Sequence, residues 1–274
     1  MTSPLLMGIV NVTPDSFSDG GRYADADAAI AHGRRLLAEG ADVLDVGGES
    51  TRPGATRPVV AEELARVVPV IEALAREAVV SVDTMRSEVA SAALAAGARI
   101  VNDVSGGLAD PAILDVVAGS QATYVAMHWR GHADTMRSRA SYDEPGGVVE
   151  VVRRELGERL AAARAAGIPD DRLVLDPGLG FAKTAAHNWA LVAGLDRLHG
   201  LGVPLLVGGS RKSFLGSLLA DAEGTPRPVD DRDAASTALT LLLAQRGVWG
   251  IRVHDVRASR DALRVLERLT EEES

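Results

Sequence analysis

The chain has 274 residues, of which 46% are hydrophobic and 24% are charged, which suits a globular domain and excludes a disordered chain. Its net charge of −9, without basic blocks or interleaved aromatic residues, argues against a nucleic acid or an anionic membrane as the main partner. Because cysteine is absent, a metal would need oxygen or imidazole ligands. The first residues lack the pattern of a signal peptide or a membrane span, so the expected location is the cytoplasm.

Short apolar segments alternate with longer amphipathic ones along the whole chain. In chain order, the predicted strands are 5–12, 41–48, 79–84, 98–105, 122–129, 173–180, 203–210 and 248–256. Their nearly continuous Val, Ile and Leu content is typical of strands that are buried on both faces, as in a parallel sheet. The segments between them show helical spacing, for example 59–78. Glycine stands where a helix should end before the next strand, at Gly40, Gly97, Gly167 and Gly247.

Eight strand-helix units in this length predict an α/β fold, the (β/α)8 TIM barrel, as a single domain over residues 1–274. An open doubly wound sheet is the alternative, but no GxGxxG motif follows the first predicted strand. The longest predicted loops are 13–23, 49–58 and 130–145. Long loops on one face of a barrel are usually functional.

Polar residues occur at the carboxyl end of every predicted strand. They are Asn11, Asp45, Glu49, Asp83, Asn102, Asp103, His128, Asp176, Ser210 with Lys212 beyond it, Arg252 and His254. The active site of a barrel lies at this end of the strands, so the set predicts chemistry there.

Cations and carboxylates divide this set into two parts. Arg252 and His254 are two residues apart on one strand, so they should face the same way and form a cationic pair for an anion. Ser210, Arg211 and Lys212 should begin the next helix, where backbone N–H groups also favour an anion.

The carboxylates Asp83 and Asp176, with the amide of Asn102, predict a pocket floor for a flat heterocycle rich in N–H donors. A magnesium cage is the alternative for two aspartates. We favour the heterocycle because no third carboxylate is expected at a comparable depth.

The motifs of the chain resemble those of the dihydropteroate synthase family, most closely its actinobacterial members. The matching segments are NVTPDSFSDGG (11–21), DVGGESTRPGA (45–55), SVDT (81–84), NDVSG (102–106), MH (127–128), LDPGLGFAKT (175–184), GGSRKSFLG (208–216) and RVHDV (252–256). They extend over nearly the whole chain, and the two longest are the most specific.

The resemblance implies an enzyme of folate biosynthesis, a target of sulfonamides, that joins 6-hydroxymethyl-7,8-dihydropterin diphosphate to p-aminobenzoate and releases diphosphate in the presence of Mg²⁺. It also implies a homodimer. By motif, the pterin contacts are Asp83, Asn102, Asp176 and Lys212, with Met127 and Phe181 as apolar walls. The diphosphate side is Asn11, Arg252 and His254, with Asn11 as the Mg²⁺ ligand, and the p-aminobenzoate side is Thr51, Arg52, Pro53 and Ser213. The catalytic groups in this scheme are Asp83, Asp176, Lys212, Arg252 and His254.

Two other functions use the same fold and carboxylate floor. A pterin-binding methyltransferase would need no diphosphate clamp, and NVTPDSFSDGG, SRK and RVHDV count against it. A paralogue that binds pterin without turnover is the other alternative, and a turnover assay separates all three.

Overall fold

The computed structural model describes residues 3–12, 21–49, 58–132 and 139–272. Within these residues lie eight strands, each inside a predicted segment. They are β1 (Leu5–Asn11), β2 (Val43–Gly47), β3 (Val79–Asp83), β4 (Ile100–Asp103), β5 (Thr123–Met127), β6 (Leu173–Asp176), β7 (Leu206–Val207) and β8 (Gly250–Val253).

The strands form one parallel sheet in the order β6-β5-β4-β3-β2-β1-β8-β7. A parallel bridge between Leu175 and Leu205 joins its two edges. The sheet is therefore a nearly closed barrel, which confirms the predicted (β/α)8 fold and rejects the open doubly wound sheet.

Helices follow the strands around the outside of the barrel. They are α1 (Gly21–Ala38), α2 (Val60–Leu74), α3 (Ser87–Ala95), α4 (Ala112–Ala118), α5 (Gly147–Ala165), α6 (Ala185–Ala193), α7 (Leu195–His199), α8 (Ser213–Leu218), α9 (Asp233–Gln245) and α10 (Val256–Glu272). The four predicted cap glycines Gly40, Gly97, Gly167 and Gly247 have φ of 102°, 108°, 97° and 69°, the left-handed backbone expected of them. No described helix is both long and apolar enough to cross a membrane.

The inside of the barrel has an apolar layer below a polar one. The apolar layer is a cluster of buried side chains from six strands: Met7, Val43, Ile100, Val125, Val174 and Leu206. Side chains on one face of a strand recur every two residues. Two residues beyond Val43, Ile100 and Val174, the same faces carry Asp45, Asn102 and Asp176. These polar groups therefore lie at the carboxyl ends of the strands, next to the apolar layer.

Candidate active site

Asp83, Asn102 and Asp176 all lie buried at the carboxyl ends of their strands, with exposures of 8%, 3% and 6%. The register places Asn102 directly beside Asp83, and Asp176 beside Met127 on β5. The structure therefore brings the three predicted floor residues to one end of the barrel.

Arg252 on β8 holds two carboxylates at this floor. Its Nε donates to Oδ2 of Asp45 at 2.6 Å, and its Nη2 donates to Oδ2 of Asp83 at 2.9 Å. Although burial opposes its charge, the carboxylates of Asp45 and Asp83 keep the pKa of Arg252 above its usual value. The guanidinium thus joins two carboxylates of the floor, on β2 and β3, and its side chain keeps 21% exposure.

Asp45 corrects one step of the sequence analysis, because it is a third carboxylate at the depth of the floor. It is completely buried and also accepts a hydrogen bond from Nδ2 of Asn102 at 3.1 Å. Both bonds end on Oδ2 of Asp45, so this oxygen links Arg252 to Asn102 at the floor. Its position inside the barrel could have been found from the two-residue alternation with Val43.

Burial raises the pKa of Asp83 to about 7, against the opposing charge of Arg252, and the nearby Asp45 carboxylate adds to the rise. Burial also raises the pKa of Asp176, while Lys212 and a hydrogen bond from the backbone N–H of Gly178 oppose it. That bond measures 2.7 Å from nitrogen to Oδ1. Burial thus stabilises the protonated form of both carboxyl groups relative to water.

Lys212 extends over the floor towards the loop after β6. Its ammonium lies 4.6 Å from the centroid of the Phe181 ring and donates to the backbone oxygen of Leu179. Burial lowers the pKa of Lys212 to about 8, although the Asp176 carboxylate opposes this. Lys212 therefore places a cation close to the Phe181 ring, and its charge acts on the Asp176 carboxylate.

Two glycines let the loop after β6 pack closely, Gly178 against the His128 backbone and Gly180 against Lys212. A Cβ on Gly178 would lie 2.5 Å from the backbone oxygen of His128, and a Cβ on Gly180 would lie 2.8 Å from Cδ of Lys212. Both glycines have left-handed backbone, with φ of 66° and 81°. The spacing in DPGLG thus has a local steric cause.

The adjacent cations Arg211 and Lys212 contact different parts of the protein. Arg211 has φ of 58°, and its guanidinium forms a fork with both carboxylate oxygens of Asp233, at 2.6 and 2.7 Å. Helix α8 begins only at Ser213. Arg211 is therefore a link to α9, contrary to the expectation that both cations serve one anion.

His254 does not add a second cation beside Arg252. Its Nδ1 lies 3.0 Å from Oγ of Ser210, and burial, reinforced by the charge of Arg252, lowers its pKa to about 3. The imidazole is neutral at pH 7, so the predicted cationic pair is an arginine beside a neutral hydrogen-bonding ring. The charge state of His254 could not be predicted from the sequence, because burial competes there with the preference for charge.

The apolar walls are larger than the two predicted residues. Met127 packs in one buried cluster with Met85 and Val104, and Phe181 packs against that cluster with Trp129. Val104 directly follows β4, and Met85 lies two residues beyond the end of β3. They line the same end of the barrel. Val104 lies inside the NDVSG motif (102–106) and Met85 follows SVDT (81–84), but the sequence predicts neither as an apolar wall.

Other predicted residues are described only in part. Asn11 is the last residue of β1 and is half-buried, in register with Gly47, which is itself in register with Asp83. Ser213 is exposed at the first turn of α8. Thr51, Arg52 and Pro53, with most of the predicted loops 13–23 and 49–58, lie outside the described residues.

In the described part of the chain, no group of three or more His, Asp or Glu residues could hold a metal ion. Asn11 offers one neutral amide oxygen, which is a hard ligand. Because Mg²⁺ is usually held by one or two protein ligands together with water and substrate phosphates, Asn11 fits a shared site and not a protein cage.

Lys183 and His128 form a further polar pair at this end of the barrel. The sequence predicts His128 there, at the end of β5, but gives no role to Lys183. Nζ of Lys183 lies 2.9 Å from Nδ1 of His128. Lys183 is part of the LDPGLGFAKT segment, and its place on the loop that carries Phe181 was the available signal.

Comparisons with known proteins agree with this architecture. A family model described as pterin binding enzyme matches residues 7–254. A dihydropteroate synthase of Mycobacterium leprae is 53% identical over 264 residues, which are 95% of this chain and 92% of that protein. A dihydropteroate synthase of Escherichia coli is 42% identical over 269 residues, or 97% of this chain and 92% of that one.

Solved structures give the same result. The Xanthomonas albilineans dihydropteroate synthase with 4-aminobenzoic acid superposes with a TM-score of 0.89 at 50% identity, covering 98% of this chain and 93% of that one. The same enzyme in complex with 7,8-dihydropteroate gives 0.84 at 47% identity, covering 98% and 94%. The chain belongs to the dihydropteroate synthase family of pterin-binding enzymes.

Proposed function

We propose that the chain condenses 6-hydroxymethyl-7,8-dihydropterin diphosphate with p-aminobenzoate, giving 7,8-dihydropteroate and diphosphate in folate biosynthesis. The observation that carries this function is the floor at the carboxyl ends of the strands, where Arg252 joins buried carboxylates next to Lys212 and Asp176. The 4-aminobenzoic acid and 7,8-dihydropteroate bound in the Xanthomonas albilineans structures support both substrate classes.

The reaction breaks the bond between the pterin methylene carbon and the diphosphate oxygen, and forms a bond from that carbon to the amine nitrogen of p-aminobenzoate. The leaving oxygen keeps the electron pair, and one amine proton is released. Since the electron-rich ring can delocalise positive charge on the methylene, the enzyme needs to bind the ring and stabilise the leaving group. The neutral aromatic amine needs no strong base.

In this proposal, Asp83, Asn102 and Asp176 bind the polar edge of the pterin, and Met127 and Phe181 enclose its faces. Buried acceptors bind N–H donors more strongly than exposed ones because water does not compete. The 8% and 6% exposures of Asp83 and Asp176 therefore favour this role.

Lys212, Arg252 and His254 serve the charged end of the substrate. The ammonium of Lys212 lies beside both the pterin floor and Phe181, so it can bridge the ring and the leaving group. Arg252 can share its fork with phosphate oxygens. Neutral His254 contributes a hydrogen bond, while Ser213 with Thr51, Arg52 and Pro53 would receive p-aminobenzoate.

Asn11 would hold Mg²⁺ together with diphosphate oxygens. When bound, the ion neutralises charge on the leaving group. The homodimer, the cytoplasmic location and the extent of the domain over residues 1–274 stay predictions.

The test is a turnover assay that follows incorporation of labelled p-aminobenzoate into dihydropteroate. We expect product only with the pterin diphosphate, and equal amounts of diphosphate and dihydropteroate. Binding of both substrates without product would contradict the proposed activity and support the silent paralogue. Methyl transfer from a methylated pterin, without diphosphate release, would support the methyltransferase.

A separate arm of the assay tests the metal. Excess chelator should suppress turnover, and added Mg²⁺ should restore it. Undiminished turnover in excess chelator would remove the metal from the proposal and leave the condensation itself intact.

A further inference from the structure

Only two lysines occur among the 29 Lys and Arg residues of the chain, Lys183 and Lys212. Both hold the loop of residues 177–183, which carries Phe181. Lys212 donates to the backbone oxygen of Leu179, and Lys183 donates to those of Gly178 and Phe181, each at 3.0 Å. The ammonium group of Lys212 therefore binds this loop at Leu179, and that of Lys183 binds it at Gly178 and Phe181.

Lys183 has a third partner, Nδ1 of His128, at 2.9 Å. The other ring nitrogen of His128 lies 2.8 Å from Oε2 of Glu155 on α5. Because a carboxylate can only accept, the neutral imidazole carries its proton on Nε2, and its Nδ1 accepts from Lys183. Burial, reinforced by the charge of Lys183, lowers the pKa of His128 to about 4 and keeps the ring neutral.

Glu155 is itself fixed. Its two oxygens accept from Nε and Nη2 of Arg130 at 3.0 and 2.6 Å. Although burial alone would raise the pKa of Glu155, the bonds from His128 and Arg130 lower it to about 2. The carboxylate therefore stays charged across the neutral range and orients His128 throughout it.

Three acceptors around one nitrogen match the three N–H groups of an ammonium. A planar guanidinium spreads its donors over three nitrogens and cannot place them at one point. The arrangement thus explains why lysine occurs at this position in a chain that otherwise uses arginine almost everywhere. Loss of one proton from Lys183 would leave one of the three acceptors without a donor.

Lys183 also acts on the pterin floor without contacting it. Its charge helps to lower the pKa of Asp176, together with Lys212 and the Gly178 N–H, against the effect of burial. Conversely, burial lowers the pKa of Lys183 to about 7; Asp176 and Glu155 oppose this, and Lys212 and Arg130 add to it. Burial and then the charge of Lys183 also lower the pKa of His187 on α6.

We propose that Lys183, oriented by His128 and Glu155, is a positioning residue of the pterin site that fixes the 177–183 loop and with it Phe181 and the carboxylate of Asp176. This inference rests on the proposed function, since it assigns Phe181 and Asp176 to pterin binding. Lys183 itself need not touch the substrate.

The first experiment compares Lys183→Met with the native enzyme. Methionine keeps the length of the side chain and removes all three donors. We expect the KM for the pterin diphosphate and the Kd for an unphosphorylated pterin to rise together by about tenfold, as for the loss of one bond to a charged group. The kcat should change less than threefold, and the Kd for free diphosphate should not change. A fall in kcat with unchanged pterin affinity would overturn the positioning role.

The second experiment measures the network directly, because selective ¹³Cε labelling of lysine gives only two side-chain resonances in this chain. Glu155→Gln removes a charge that raises the pKa of Lys183, so the titration of Lys183 should move to lower pH and that of Lys212 should not. Glu158→Gln is the matched control, since Glu158 lies on the same helix and binds the exposed Arg154. Unchanged titration of Lys183 in Glu155→Gln would overturn the proposal.

These measurements separate the two proposals. If the native protein binds pterin but forms no dihydropteroate, the condensation fails while the Kd and the lysine titrations still decide the role of Lys183. If Lys183→Met does not fold, Glu155→Gln still tests the proposal. In that variant we expect the titration of Lys183 to move to lower pH and the affinity for pterin to fall.

Discussion

The Nε of Arg252 lies 2.6 Å from Oδ2 of Asp45, although 207 positions separate the two residues in the chain. With Asp83 at 2.9 Å, the same guanidinium joins β8 to β2 and β3 at the floor of the barrel. Burial and the nearby Asp45 carboxylate raise the pKa of Asp83, and the charge of Arg252 opposes that rise. Arg252 is therefore both a part of the barrel and a candidate for binding diphosphate.

Arg252→Lys keeps the positive charge and loses the planar pair of N–H donors of the guanidinium. We expect the affinity for free diphosphate to fall by about 1.5–3 kcal/mol, or roughly tenfold to a hundredfold. Competition binding with diphosphate and with an unphosphorylated pterin measures the two ends of the site separately. Arg260→Lys is the control, because Arg260 binds Asp42 and the Gly40 carbonyl at the other end of β2. Intact diphosphate affinity in Arg252→Lys would contradict the assignment.

Asp83 makes stability depend on pH. Its pKa rises from 3.8 in the unfolded chain to about 7 in the barrel. Between these values the folded protein keeps a proton that the unfolded chain releases, so this group makes the free energy of unfolding fall as pH rises from about 4 to about 7. Asp83→Asn should remove that slope. Denaturant unfolding at several pH values measures it, and parallel curves for the two proteins would refute the shift.

The barrel could be predicted from the sequence because eight apolar segments and the cap glycines repeat one local pattern. The floor residues Asp83, Asn102 and Asp176 could be proposed because strand ends converge in this fold. The orientation of Arg211 towards Asp233 and the neutrality of His254 could not, since both depend on helix α9 and on burial that no local pattern encodes. Asp45 was visible as a strand residue, but its bond to Arg252 joins opposite ends of the chain.

Gly178→Ala should destabilise the protein more than an ordinary glycine substitution does. The new Cβ would lie 2.5 Å from the His128 carbonyl oxygen, at φ of 66°. We expect a loss of about 2–4 kcal/mol in the free energy of unfolding, from backbone strain and the clash together. Gly167→Ala is the control, because its φ is 97° and nothing lies within 4 Å of its Cβ. That variant should lose only about 1–2 kcal/mol, and equal losses would disprove the steric account.

Asp176→Asn should weaken pterin binding without preventing folding. The amide keeps the shape of the side chain and can still accept from the Gly178 N–H, but it loses the charge that strengthens a hydrogen bond to a pterin N–H. We expect a loss of about 1.5–3 kcal/mol in calorimetric affinity for the pterin. Asp170→Asn, on an exposed ion pair with Arg164, supplies the comparison and should bind pterin normally. Unchanged affinity in Asp176→Asn would remove this residue from the floor.

Substituting the adjacent cations Lys212 and Arg211 one at a time should separate a role in ligand binding from a role in stability. Lys212→Met keeps the hydrocarbon chain that packs at Gly180 and removes the ammonium near Phe181 and Asp176. Because that ammonium serves both the ring and the leaving group, we expect the affinities for unphosphorylated pterin and for diphosphate each to fall about tenfold or more.

Arg211→Met removes the neighbouring charge, whose fork holds Asp233 on α9. We expect it to lower the free energy of unfolding by about 1–3 kcal/mol and to leave both ligand affinities within a factor of two, because Arg211 faces the helix and not the floor. Measuring both variants by calorimetry and denaturant unfolding gives opposite patterns if the cations have separate roles. If Arg211→Met weakened diphosphate binding as much as Lys212→Met, the two cations would act on one anion, and the divergence of their side chains would have no functional meaning.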